Sequence, residues 1–246
     1  MNDINGFITV RTSSTRLPNK CLLPFGEINV IEHIIKRAQF YNINPILCTS
    51  TDKSDDILVE IAKENSINYF RGSLQNKLKR WLDCAKYFDL EYFHTVDADD
   101  PFFDGDLMNE SLNILKNKKL DIVTPTISSS SGGASVGYSL TTNIIEKALF
   151  NVDENSDTEM MWYYIEKVPN LKKEILQEKL NYIKQDLRLT LDYQEDYWLL
   201  SSLQRIHGNN VTRKEIDDFF ILNPDFYKIN WFRNSEWKSA QESKKI

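Results

Sequence analysis

Nowhere in the 246 residues do apolar side chains run to the about 18 needed to cross a bilayer, so no membrane partner is expected. The opening MNDINGFITV lacks the basic-then-apolar order of a secretory leader, and a cytoplasmic location is expected. Cysteine is scarce. Cys21, Cys48 and Cys84 are odd in number, far apart and without CxxC spacing, which excludes a zinc or redox motif and leaves them as free core thiols. Positive charge is not in excess: the formal net charge is −6, which argues against general nucleic-acid binding, because a backbone binder carries a net-basic face. The glycine-rich signatures GxGxxG and GxxxxGK[ST] are both missing, so neither a dinucleotide fold nor an ordinary P-loop ATPase is supported.

What is present is an ordinary globular balance, 41% hydrophobic and 27% charged, in a chain long enough to bury a substantial core; residues 1–246 read as a single domain. Short β-branched or aromatic runs at Gly6–Val10, Pro45–Thr49, Asn68–Phe70, Tyr92–Val96 and Asp121–Thr124 predict strands. Between them, amphipathic stretches predict helices at Val30–Tyr41, Asp55–Asn65 (after Ser54 as N-cap), Leu74–Tyr87 and Asp106–Lys116. That alternation implies an α/β fold, a parallel sheet with crossover helices. At Thr126–Tyr138, TISSSSGGASVGY, serine and glycine dominate, and a mobile loop is expected. Beyond it the pattern predicts helices near Thr142–Phe150 and Thr158–Lys167, a strand at Arg188–Leu191 and a helix over Asp192–Ile206. A further helix opens on a capping box at Thr212 and Glu215.

The stretch FITVRTSSTRLPNKCLLPFG sets Arg11, Arg16 and Lys20 within ten residues that hold no acid, directly after the first strand. Charge runs are usually solvated turns, but a loop at the carboxyl end of the first strand of a parallel sheet sits where such sheets bind ligands. Guanidinium forks, an ammonium and the hydroxyls of Ser13, Ser14 and Thr15 suit phosphate, and Pro18 keeps the segment from continuing as a helix. YFHTVDADDPFF ends another strand in Asp97, Asp99 and Asp100 on the same edge. These carboxylates read either as an Asp-Pro turn or as ligands of a Mg²⁺ shared with phosphate. RLTLDYQEDYW adds Asp192, which reads as an N-cap with Glu195 as its reciprocal partner and can still coordinate a metal through its free lone pairs.

These elements, in this order, resemble the cytidylyltransferase family that includes CMP-Kdo and CMP-sialic acid synthetases, most closely its SpsF-like spore-coat-polysaccharide branch. Where that branch reads ARxxSxRLPgKvLxPxgg, this chain has VRTSSTRLPNKCLLPFG; LCTSTDKSDD (47–56), RGSLQNKLKRW (71–81), VDADDP (96–101), RLTLDYQEDY (188–197) and LNPDFYKIN (222–230) continue the match. The resemblance implies a nucleotide-diphospho-sugar transferase fold, a three-layer α/β/α sandwich, that transfers CMP from CTP to a small-molecule acceptor such as a sugar acid and releases pyrophosphate. It implies that Arg11, Ser14, Arg16 and Lys20 grip the triphosphate with Ser13 beside them, that Asp99 and Asp192 hold Mg²⁺, and that Thr49, Ser50 and Asp52 lie near the nucleoside. It also implies a homodimer through an arm within residues 139–186.

Two departures bear on the acceptor rather than the reaction: GSLQNKLKRW where the branch has GSxxDVLxRY, and DTEMMWYYI, 157–165, where it has REHVTPYIY. His33, His94 and His207 fall in a helix, a strand and a helix end and read as structural. Asp97 is a possible base or second metal ligand. Tyr227, Trp231, Phe232 and Trp237 read as core cover rather than a sugar platform. The rival readings are a glycosyltransferase using a nucleotide-sugar donor and a non-catalytic nucleotide-binding subunit.

Overall fold

Alternation along each strand becomes layering in the chain. The computed structural model describes residues 4–125, 134–177 and 187–242. In its first strand, β1 (Ile4–Thr9), Phe7 joins one apolar core and Ile8 the other; in β4 (Ile43–Ser50), Ile46 and Leu47 divide the same way. Successive side chains of a strand point to opposite faces, and both faces of a parallel sheet must be covered. On the Ile8 face lie α1 (Val30–Phe40), α2 (Asp56–Glu64), α4 (Gly105–Lys118) and α7 (Gln194–His207), contributing Ile31, Leu58, Leu112 and Leu199. The Phe7 face is covered by α3 (Lys77–Tyr87) and α5 (Thr142–Ala148), with Trp81 and Ile144 packed against the stacked rings of Phe7 and Phe93. Full burial of an aromatic of this kind contributes about 1.5–3 kcal/mol.

The sheet has the order β5-β4-β1-β6-β8-β7-β9 among the described residues, completed by β5 (Asn68–Gly72), β6 (Tyr92–Asp97), β7 (Ile122–Thr124), β8 (Ser139–Thr141) and β9 (Lys173–Ile175). β5, β4, β1 and β6 run parallel, whereas β8 is antiparallel to both its neighbours. The result is the expected three-layer α/β/α sandwich. A small hairpin, β2 (Pro24–Phe25) with β3 (Ile28–Asn29), leads into α1, whose start is fixed by a reciprocal capping box of Asn29 and Glu32. Further on come a single turn α6 (Trp162–Ile165), then α8 (Arg213–Leu222), opened by the expected Thr212–Glu215 capping box, and α9 (Arg233–Glu242). No helix of the described residues is long and apolar enough to cross a membrane.

The local expectations fail where tertiary contacts outbid propensity. Arg188–Leu191 forms no strand of the sheet: it is extended and buried but shows only an isolated bridge at Arg188, with Leu191 N–H donating to Asp99 O at 2.6 Å. The helix expected over Thr158–Lys167 shrinks to α6, because Thr158 is spent on the start of α3. That helix begins at Lys77 rather than Leu74, N-capped by Asn76. Ser54 does not cap α2; Asp52 caps a 3₁₀ turn, Lys53–Asp55, that precedes it. Of the loop expected at Thr126–Tyr138, residues 126–133 lie outside the described residues, while Ala134, Ser135 and Val136 are buried. Gly137 holds φ +81°, where an added Cβ would lie 2.1 Å from Thr95 O, so the close approach of this segment to β6 requires glycine. Of the proposed arm, β8 and α5 belong to the sandwich itself, β9 is an edge strand, and 178–186 lie outside the described residues.

Candidate active site

The loop after β1 is held from behind, so that its cations face forward. Asp55 is buried, and its carboxylate accepts Thr12 N–H and Thr12 Oγ1, each at 2.8 Å, with Thr49 Oγ1 at 3.1 Å and Ser50 Oγ at 2.5 Å. Burial pushes the Asp55 carboxyl up, but these donors outweigh it and hold the group below the usual carboxylate range. Leu17 and Cys21 anchor the far end of the loop in the core, and Asn19, in the left-handed region at φ 54°, turns the chain into a 3₁₀ turn at Lys20–Leu22. Lys20 is thereby aimed away from the core side of the turn.

Its ammonium meets both of the distant acids. Lys20 Nζ donates to Asp99 Oδ2 at 2.9 Å, to Asp192 Oδ1 at 2.9 Å and to Leu191 O at 2.8 Å. Arg16 Nη2 lies 2.9 Å from the same Asp192 oxygen, with its guanidinium 5.5 Å from the Tyr193 ring. Burial opposes the Lys20 charge, yet the two carboxylates raise its pKa above the ordinary lysine range. Burial likewise opposes the Asp192 charge, but Lys20, Arg16 and Arg188 hold its carboxyl below the usual range. Arg188, fully buried, fixes this geometry from the rear by pairing with Asp196 at 2.9 and 3.1 Å and with Asp192 Oδ2 at 3.2 Å. Asp196 also accepts the backbone N–H groups of Asp192 and Tyr193 at 2.9 Å. Asp196 therefore takes the reciprocal capping role expected of Glu195, Tyr193 stands at the N-cap position expected of Asp192, and Glu195 pairs with Arg233 instead.

A cavity of about 930 Å³ opens over these groups, with Arg11, Ser13, Ser14, Arg16, Lys20, Asp99 and Asp192 in its lining. That volume suits a nucleotide with a second small molecule. Asp97 and Asp100 also line it; burial, reinforced by the charge of Asp99, raises the pKa of each. Asp100 Oδ1 is buried and has no hydrogen-bond partner among the described residues. No group of three or more His, Cys, Asp or Glu among the described residues forms a metal cage. Two carboxylates already sharing one cation, with an unpaired carboxylate oxygen close by in sequence, nevertheless fit Mg²⁺, which prefers one or two carboxylates plus phosphate oxygens.

Thr49, Ser50 and Asp52 do not line the cavity. The first two are turned onto Asp55, and Asp52 accepts from Ser54 N–H and Oγ at 2.8 and 2.6 Å on the surface. The histidines are structural: His33 bonds Pro101 O and Asn209, His94 bonds Ser139 and Val136 O, and His207 packs edge-on against Phe219. The three cysteines are free and buried. In the aromatic tail Trp231 and Phe232 are exposed, and Trp237 reaches the cavity wall. Sequence reasoning missed Arg80, Ser135 and Glu159, which share the lining, and read Trp237, which also lines it, as core cover.

A family model described as cytidylyltransferase matches residues 6–227. The chain belongs to the cytidylyltransferase family. Among curated relatives of this cytidylyltransferase is an uncharacterized protein of Methanocaldococcus jannaschii, 31% identical over 97% of this chain and 98% of that protein. The spore coat polysaccharide biosynthesis protein SpsF of Bacillus subtilis is 27% identical over 92% of this chain and 97% of its own. Among solved structures, a cytidylyltransferase from Leptospira borgpetersenii superposes with a TM-score of 0.81, at 24% identity, over 92% of this chain and 96% of its own.

Proposed function

We propose that the protein transfers CMP from CTP to a sugar acid or related acceptor, releasing pyrophosphate, with Mg²⁺ as its metal. The observation that carries this reading is the convergence of Lys20 on Asp99 and Asp192, residues 79 and 172 positions away, in the lining of a cavity shared with Arg11, Ser13, Ser14 and Arg16. An acceptor hydroxyl oxygen forms a bond to the α-phosphorus as the bond from that phosphorus to the bridging oxygen of pyrophosphate breaks. Arg11, Arg16 and Lys20, with the hydroxyls of Ser13 and Ser14, bind the triphosphate and offset the charge that grows on the leaving pyrophosphate, the kind of electrostatic preorganisation that dominates phosphoryl chemistry. Asp99 and Asp192 would hold Mg²⁺, which when bound would supply further neutralisation of phosphate charge. Asp97, whose pKa burial raises, receives the hydroxyl proton.

In the free protein Lys20 occupies the acids as an internal counter-ion, and on binding it is shared with the β- and γ-phosphates. The enzyme works as a cytoplasmic homodimer in the supply of precursors for a surface polysaccharide. Purified protein incubated with Mg²⁺, single nucleoside triphosphates and a set of sugar acids should release pyrophosphate with CTP and only when an acceptor is present. Release of free nucleoside diphosphate from a nucleotide sugar, with none of pyrophosphate from CTP, would overturn the reading in favour of glycosyl transfer.

A further inference from the structure

Lys77 stands in the same cavity as Lys20 and is used quite differently. Its side chain is only 12% exposed, it opens α3, and its ammonium sits 5.1 Å over the Trp81 ring. An ammonium carries three donors. Lys20 spends three contacts at 2.8 to 2.9 Å, whereas the hydrogen bond Lys77 makes among the described residues is a single one, to Glu159 Oε1 at 3.4 Å. That is long for a charge-assisted bond, ordinarily about 2.7–2.9 Å. Glu159 is shared with Arg11, 3.6 Å away, and Lys77 first, then Arg11, pulls its carboxyl down to about 2. Arg80 lines the wall too, buried, with Nη1 on Ser73 O at 2.5 Å and Nε without a partner among the described residues. Arg11, Lys77 and Arg80 therefore share one wall with Glu159 and Asp97, three cations to two carboxylates. The wall carries unspent positive charge and unspent donors.

The geometry of this wall is built in. Asn76 Oδ1 accepts from Thr158 Oγ1 at 3.0 Å while Thr158 Oγ1 accepts Leu78 N–H at 2.9 Å, and Asn76 Nδ2 reaches Asp153 O and Glu154 O at 3.4 Å. The two segments that depart from the SpsF-like pattern, 76–77 and 157–165, are thus one stapled unit, and its cavity side presents Lys77 with Glu159.

Resting on the reaction proposed above, we propose that Lys77, loosely balanced by Glu159, anchors an anionic group of the acceptor, a carboxylate or a phosphate. Glu159 is then a stand-in counter-ion that yields the ammonium when the acceptor arrives. This makes Lys77 a specificity determinant for the acceptor and leaves the triphosphate to the Arg11–Lys20 loop.

The test is calorimetric titration of the full chain, holding Mg²⁺ and α,β-methylene-CTP, with N-acetylneuraminate, its methyl ester, glucose 1-phosphate and glucose. At least one of the two anions should bind, identifying which group is taken, and the ester and glucose should not. Lys77→Met should weaken that anion about tenfold or more while changing affinity for the CTP analogue less than twofold. Lys77→Arg should retain most of the anion affinity, and Glu159→Gln, by removing a competitor, should tighten it. The proposal is overturned if neither anion binds wild type, if the uncharged probes bind equally well, if Glu159→Gln loosens the anion, or if Lys77→Met weakens the CTP analogue as much as the acceptor. Lys77-dependent anion binding without pyrophosphate release from CTP would leave the anchor in place and remove the proposed reaction instead. Thermal melting of both Lys77 variants separates misfolding from loss of the anchor.

Discussion

Two buried carboxylates sit behind the same loop and differ in what neutralises them. Asp55 is satisfied by hydroxyls and backbone N–H groups of Thr12, Thr49 and Ser50, donors that are fixed in place and have nothing better to do. Asp192 is satisfied by Lys20, Arg16 and Arg188, and the first two of these also reach the cavity. A carboxylate held by neutral donors is architecture, because releasing it strands several polar groups at once. A carboxylate held by cations that also line a cavity can exchange them for a metal and a phosphate. The sequence clusters polar residues around both sites, and only the identity of the donors separates the one that shapes the loop from the one that works in it.

The sharpest way to break this contrast is at the rear of the second cluster. Arg188→Leu leaves Asp196 buried without its partner and should cost about 3–5 kcal/mol of stability, read from denaturant unfolding. Lys20→Ala should do the opposite: turnover measured by pyrophosphate release should fall more than about a hundredfold, on the order of 3 kcal/mol in the barrier, with the melting temperature nearly unchanged. Asp55→Asn should lower stability by about 2 kcal/mol, because an amide cannot accept every donor that the carboxylate does, and folded protein should retain CTP binding. The same variant carries a pH signature. Since the folded Asp55 carboxyl lies below its unfolded value, its contribution is present above the unfolded pKa of about 3.9 and is lost as pH falls through the folded one. Wild type should therefore lose more stability between pH 5 and pH 3 than Asp55→Asn does. The smallest effect is expected at the α3 start, where Asn76→Ala removes an N-cap and should cost about 1 kcal/mol.

The sandwich was legible because its strands are apolar on both faces and its helices on one, a pattern set by burial and independent of distant contacts. Arg188–Leu191 misled for the same reason: an apolar β-rich run reads as a strand, yet here it is buried, with Leu191 N–H on Asp99 O and a single bridge at Arg188. Capping at α7 was misjudged by one residue because Asp196 answers to Arg188 as well as to the helix, a demand that spacing alone does not reveal. The positions of Lys20 and Asp99 were readable from their places after β1 and β6 on one sheet edge, and Asp192 joins them from an extended segment that is not a strand of the sheet. Thr49 and Ser50 were assigned toward the nucleoside on resemblance, and they turn instead to Asp55, whose burial no local pattern announces. The Lys77–Glu159 wall left only a faint trace, two departures from a familiar pattern, whose meeting depends on the fold.

The account stands on Asp99 and Asp192 trading Lys20 for a metal-bound triphosphate, and calorimetric titration of CTP with and without Mg²⁺ tests it on wild type and on Asp99→Asn, a partly exposed site where folding is not at stake. Mg²⁺ should tighten CTP binding to wild type about tenfold or more and leave Asp99→Asn almost unaffected. An equal gain from Mg²⁺ in both proteins would contradict it.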